Sequence, residues 1–391
     1  MPNDKAERRL ILLSAGTAQR REAMRARATR LAEHVEWPRL AGTLHARRLL
    51  PLLGPRILEL AGDAASNEFS AAVARAHDAG RRQGLLLQLL TQRILEMLAD
   101  AGIRSAPLKG PLLGEAIHGD PGRRLSTDVD LLVAPDQLGD AVNVVRELGY
   151  GEPTDHLLAD GLPLLHLRML DGRGKLPPLE LHWRVHWYER SFACERLLPP
   201  TAGSWEGWRP APTDELAALL LFYARDGFID LRIATDLSAW WDARGGELPP
   251  AALAPLLDSY PQFARAIPVA VRVAENVVGL PAQQLLGDAA RLGARGRLGV
   301  KLANPHPQSS PPQLYADMGL VDGLLAPRGG FGEFVRRQLL PPTEVLDQQA
   351  RHGERHGARS SPARFLGVLG RYGWTMTRCT LTRTRAPAAG R

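Results

Sequence analysis

The chain has 391 residues, 45% of them hydrophobic, which suits one large or two modest domains with cores of their own and excludes general disorder. Its formal charge of +7 is local: residues 350–391 hold nine arginines and a single acid, Glu354, so the rest of the chain is close to neutral, and the basic excess is a C-terminal tail that can bind RNA, an acidic partner or nothing at all. Two distant cysteines, Cys194 and Cys379, exclude a disulfide framework and a cysteine zinc site, and no apolar run can cross a bilayer.

The first hundred residues read as a helical region. Arg8 and Arg9 precede Leu10–Leu13, a patch too short for a secretory leader, so the protein is expected to begin near Met1 and to work in the cytoplasm. Short helices are expected around Trp37, Leu49–Leu53 and Ala71–Ala79, broken by Pro51, Pro55 and Gly62. Leu86, Leu90, Ile94 and Leu98 keep helical spacing and predict a buried stripe.

From residue 101 the pattern turns to alternating strands and helices. Ile103–Leu108 reads as a strand and Pro111–Ile117 as a helix. Asp120-Pro121-Gly122 reads as a turn, and Val129–Val133 as a strand. Asp136 is placed to cap a helix that ends at Gly149. Leu164–Leu170 and Leu179–Trp187 read as two strands joined by Asp171-Gly172-Arg173-Gly174. After Pro199-Pro200 the chain is helical again. Thr213 is the expected cap of one helix, and others are expected over about 230–243, 251–257, 262–278 and 282–292. Residues 304–312 read as a proline-rich linker, and 386–391 as a disordered end. The predicted class is therefore α/β (α+β). A small mixed sheet over 101–190 is flanked by helices over 1–100 and 200–345, with a basic, partly disordered tail over 346–391.

The chemistry concentrates in three places. In Leu125–Val133, strand alternation puts Asp128 and Asp130 on one face and Val129, Leu131 and Val133 on the other. Two carboxylates so close repel each other unless a cation lies between them, and hard oxygen ligands suit Mg²⁺, with Mn²⁺ as the alternative. Alone, the pair is more often two solvated acids on an exposed edge strand than a metal site. Leu179–Trp187 alternates too, placing Glu180, His182, Arg184 and His186 on one face; beside the 129–133 strand, Glu180 becomes a third carboxylate. Upstream, Lys109-Gly110 opens a helix, where backbone N–H groups face a phosphate and glycine permits close approach. Lys109 is one of only four lysines against 45 arginines, which suggests that its compact ammonium matters. Arg124 is a second candidate cation, with Arg123 its rival.

Taken in order, LKG, DPGRRLSTDVDLLV, LGY and LELHW resemble the uncharacterised nucleotidyltransferase family of the DNA polymerase beta-like superfamily. The likeness extends into TDELAALLLFYARDGFIDLRIATDLSAWW and spans about 30–345. The resemblance implies a minimal nucleotidyltransferase core, with Gly110 in the phosphate turn and Asp128, Asp130 and Glu180 as catalytic metal ligands. It implies transfer of a nucleotidyl group from an NTP, through two Mg²⁺ ions, to an acceptor on a peptide, small molecule or RNA. Lys109, Gly110, Arg124 and His182 would then serve nucleotide and phosphate binding. An acid near Asp236 also recurs in the resemblance, with an Arg232-paired structural acid as the plainer reading. The chain departs from the superfamily in having Gly110-Pro111 for the usual Gly-Ser or Gly-Gly, which removes one backbone donor. Two other readings stay open: a tailoring enzyme acting on a (phospho)peptide or using a nucleotide sugar, and an inactive nucleotide-binding protein. The basic tail allows an acidic partner.

Overall fold

The computed structural model describes residues 2–153, 165–205, 207–303 and 311–330, with isolated positions beyond. The expected linker falls almost wholly outside these residues, as do Cys379 and, apart from Gly370, the basic tail.

Four strands make one mixed sheet: β1 (Ser105–Pro107), β2 (Val129–Val133), β3 (His166–Met169) and β4 (Leu179–His182), in the order β1-β2-β4-β3. β2 and β4 are parallel, with Asp130 opposite Glu180, while β1 and β3 run antiparallel on the two edges. One face of the sheet presents Val129, Leu131, Val133, Leu179 and Leu181 to a core shared with the helices Asn67–Asp100 and Leu138–Arg146. This is the alternation expected of β2. On the other face Leu132, with Ala106 from β1, joins a larger helical core. That core takes side chains from both ends of the chain, including Leu10 and Ile11 from Pro2–Ser14 and Phe222, Leu237 and Val271 from Pro212–Arg225, Leu231–Arg244 and Ala266–Val278. The Thr17 amide donates to the Val278 carbonyl at 2.8 Å, joining the two ends directly.

Several elements differ from expectation. Ala71–Ala79 is not a separate helix. It lies inside one 34-residue helix, Asn67–Asp100, capped by the Ser66 hydroxyl, which accepts from the Phe69 amide at 3.1 Å. Pro55 does not break its helix either; it sits one turn inside Leu50–Ala61, which ends at Gly62. Of the expected stripe, Ile94 and Leu98 are buried and Leu90 is half-buried, but Leu86 is 63% exposed. The buried side also takes in Gly84, Leu87, Gln88, Thr91 and Leu95. Its glycine and polar members hide it from a hydrophobicity pattern, yet each is accounted for. Thr91 donates to the Leu87 carbonyl at 2.7 Å, and Gln88 to Glu115 at 2.7 Å. A β-carbon on Gly80 would lie 2.4 Å from the Gly122 carbonyl oxygen, and one on Gly84 2.7 Å from that of Pro121. The turn expected at 120–122 therefore rests directly on the helix backbone, which aims the following residues toward β2.

Asp136 and Thr213 are not caps. A 3₁₀ turn, Pro135–Gln137, precedes the first helix, and the second begins with Ala211 at the cap and Pro212 at its first position. β4 is shorter than the alternation of LELHWRVHW suggests. It stops at His182, and Val185 turns into the helical core rather than following Leu179, Leu181 and Trp183. The bend is held by Glu189, whose carboxylate accepts from the Val185 amide at 2.7 Å and the Ala193 amide at 3.5 Å. Arg184 donates to the carbonyls of Trp187 and Glu189. Arg184 and His186 thus leave the polar face of β4 and are buried in the bend. Among the described residues, no helix is long and apolar enough to cross a membrane.

Burial pushes the Glu189 carboxyl up to about 7, with its backbone donors and Arg184 opposing. A folded-state value above the unfolded one means that this group stabilises the fold at low pH, a contribution lost as pH rises from about 4.3 through about 7. Urea titrations at pH 5 and 7.5 should therefore show a wild-type loss across this interval that Glu189→Gln largely removes. An equal pH slope in both proteins would assign the loss to other groups.

Candidate active site

The site is built where β1 runs into its helix. The Leu108 amide donates to the Asp130 carbonyl at 3.1 Å, so the segment after β1 stays beside β2. Gly110 then takes φ +87°, which glycine adopts without strain, and begins the helix Pro111–His118. Pro111 removes one donor, but the amides of Leu112 and Leu113 still have no carbonyl within their own helix.

Strand parity and register place three carboxylates together. One oxygen each from Asp128, Asp130 and Glu180 falls within 4.8 Å of the others. Lys109 Nζ lies 2.9 Å from Asp130 Oδ1. His182 Nε2 lies between the acids, 3.1 Å from Asp130 Oδ1 and 3.2 Å from Glu180 Oε2. His166, opposite His182 in the β3–β4 register, brings Nε2 to 3.9 Å from Glu180 Oε1. With Glu180 and His182 it forms a second group of ligand spacing.

The three acids are not equivalent. Burial, reinforced by repulsion from Asp130, pushes the Asp128 carboxyl up. Burial acts the same way on Asp130, but Lys109 and His182 outweigh it and hold that carboxyl below its usual range. Glu180 is also held low, against its burial, by His182 and His166. Burial would lower the Lys109 ammonium, yet Asp130 and Glu180 raise it, so it stays charged. The least compensated acid is Asp128, at the open end of β2. A cluster of hard oxygens with one poorly compensated member fits a divalent cation.

Arg124 is placed differently from Lys109. Its Nε donates to Asp236 at 2.7 Å and another guanidinium nitrogen to Ser126 Oγ at 3.0 Å, and it is buried. Its stem lies against Gly114. His118 Nε2 meets the second oxygen of Asp236 at 2.9 Å. Asp236 therefore pairs with Arg124 and His118, not with Arg232, which is bonded to Asp230 at 2.9 Å. The buried trio ties the helix Pro111–His118 and the segment leading into β2 to the helix Leu231–Arg244.

Other cations stand nearer the carboxylates than the sequence disclosed. Arg225 lies close enough to Lys109 to oppose its charge, with its guanidinium 4.8 Å from the Phe222 ring and Nε on Asp226. Arg232 is near enough to Asp128 for that acid to raise its pKa, behind burial and Asp230. Arg48 donates to Thr127 Oγ1 at 3.2 Å from the N-terminal helices. Among 45 arginines no composition signal distinguishes these three, and His166 could be found only from the strand register.

The model of a family described as an uncharacterised nucleotidyltransferase matches residues 33–272, and the chain belongs to that family. The match takes in the whole sheet, the Gly110 turn, all three carboxylates and Asp236. No curated protein and no solved structure matches the chain.

Burial would raise the Asp236 carboxyl, but Arg124 and His118 bring it down to about 2. Its contribution to stability is thus present above the unfolded value near 4 and is lost as pH falls toward about 2. Asp236→Asn leaves the Arg124 charge buried and unpaired, and should cost on the order of 3–5 kcal/mol in urea unfolding at pH 7. A loss below about 1 kcal/mol, the scale of an exposed pair, would mean that the trio is not a fastening of the fold.

Proposed function

We propose that this member of the family transfers a nucleotidyl group from an NTP to an acceptor hydroxyl or phosphate, releasing pyrophosphate, with Mg²⁺ held by Asp128, Asp130 and Glu180. The observation that carries this reading is the pairing of Asp130 with Glu180 on parallel strands, with Asp128 reaching the same point. Metal bound there would offset phosphate charge and acidify the attacking hydroxyl. We take the protein to act in the cytoplasm, with Mn²⁺ able to replace Mg²⁺.

The chain's own residues have distinct tasks in this reading. The Gly110 turn offers the Leu112 and Leu113 amides to the triphosphate. Lys109 occupies Asp130 in the free protein and turns its ammonium to phosphate oxygens when the nucleotide arrives, offsetting charge that grows in the transition state. His182 keeps Asp130 and Glu180 aimed at a common point through one ring nitrogen. Arg225 and Arg232 add positive potential around the opening. Arg124, bound to Asp236 and Ser126, serves as a positioning residue that holds the approach to β2, rather than as a phosphate ligand.

The carboxylates separate in their expected effects. Asp128→Asn should abolish Mg²⁺-dependent NTP binding in calorimetry while raising the melting temperature of the metal-free protein, because a repelled, buried charge is removed. Asp130→Asn should abolish the same binding but lower the melting temperature, since Lys109 loses its partner. Unchanged Mg-NTP affinity in both variants would place the nucleotide elsewhere.

Lys109 gives a second test once NTPs and acceptors have been screened by intact mass. Lys109→Ala should cost about 2–4 kcal/mol in kcat/KM. Lys109→Arg should also be clearly impaired, because a planar guanidinium does not fit beside Asp130 and the tight Gly110 turn as an ammonium does. Full activity in Lys109→Arg would reduce its role to charge alone.

A further inference from the structure

A cavity of about 380 Å³ opens between β1, the helix Pro111–His118 and the helix Pro212–Arg225, closed on its far side by the segment that carries Trp205 and Trp208. Its wall is mostly apolar, with Leu113, Ala116, Leu219, Phe222 and the two indoles, and Arg209, Glu115 and Glu215 also line it. Trp208 is held in place by its ring N–H, which donates to the Leu197 carbonyl at 3.2 Å. At one end stands Lys109, the same side chain that touches Asp130, so the cavity and the carboxylates share a wall. Lys109 Nζ is 5.9 Å from the Phe222 ring centre, at the margin of cation–π contact.

We propose that this cavity is a substrate subsite for a planar aromatic ring whose charged or reacting end lies at Lys109. Flat indole and phenyl faces suit offset stacking with a ring, and the volume is at the small end of ligand pockets. Lys109, which lines the cavity and touches Asp130, orients such a ligand with its reacting group toward the carboxylates and its ring against the apolar wall. Two sources share this chemistry, the base of the nucleotide and the ring of an aromatic acceptor. The proposal rests on the nucleotidyl-transfer reading only in taking the ligand for a substrate.

The probe is 8-anilinonaphthalene-1-sulfonate, an aromatic anion, titrated by fluorescence into the full chain. One saturable site is expected. Trp208→Ala, which removes one wall, and Ala116→Phe, which fills the space from the opposite wall, should each weaken it at least about tenfold, the scale of one buried aromatic side chain. Circular dichroism and melting temperature of both variants identify any loss of fold, and a loss confined to an unfolded variant leaves the other as the test. Asp128→Asn should still bind the probe, at equal or higher affinity because a negative charge near its anionic end is removed, which separates this subsite from the metal reading. Displacement by unphosphorylated nucleosides assigns the cavity to the base, and displacement by p-nitrophenol alone assigns it to an aromatic acceptor. Unaltered probe binding in both folded cavity variants, or displacement only by pyrophosphate, would overturn the proposal.

Discussion

Everything at the candidate site depends on keeping three carboxylates within 4.8 Å of one another in a partly buried cleft. Carboxylates so placed cannot all remain charged without compensation. The chain supplies it unevenly. Asp130 has Lys109 and His182, Glu180 has His182 and His166, and Asp128 has the least. The sheet order follows the same need. With β2 and β4 adjacent and parallel, Asp130 and Glu180 stand opposite, and antiparallel β1 and β3 deliver Lys109 and His166 from the two edges.

Holding that arrangement requires the segment between the Gly110 turn and β2 to be rigid. Two contacts fasten it. On one side the 120–122 turn presses on Gly80 and Gly84, where any larger residue would strike backbone. On the other, Arg124 is locked to Asp236 beside His118. A buried ion pair is a poor source of net stability, because desolvation consumes most of its attraction, but it has steep geometric demands. That makes it suited to positioning. The helices after the sheet thereby become part of the site: Leu231–Arg244 carries Asp236, and Pro212–Arg225 carries Phe222 and Arg225 beside Lys109.

The same helices explain why the chain is not three independent blocks. Pro2–Ser14 packs in the core that holds Ala266–Val278, and that core reaches the sheet through Ala106 and Leu132. The sheet itself is short, four strands of three to five residues, and has little apolar surface of its own. The long helix Asn67–Asp100 covers one face, and the helical core covers what the carboxylates leave of the other. The aromatic cavity lies at this junction.

By itself the sequence determined what depends on near neighbours. Alternation in Val129–Val133 assigned Asp128 and Asp130 to one face and three apolar residues to the core, because successive side chains on a strand point opposite ways. The order of strands and helices and the glycine turn at Gly110 were legible from local signals too. Tertiary structure decided what depends on residues far apart in the chain. The register that sets Glu180 against Asp130, and His166 against His182, is a long-range pairing with no local signature. The end of β4 at His182 was hidden because alternation continued past it, while Glu189 and Arg184 captured the backbone and bent it. Part of the buried side of Asn67–Asp100 was hidden because Gly80, Gly84, Gln88 and Thr91 sit there among the apolar residues. Arg124 read as a candidate phosphate cation, and nothing in the sequence pointed to its acid partner. That partner is Asp236, 112 residues away, on a helix that packs against Pro111–His118.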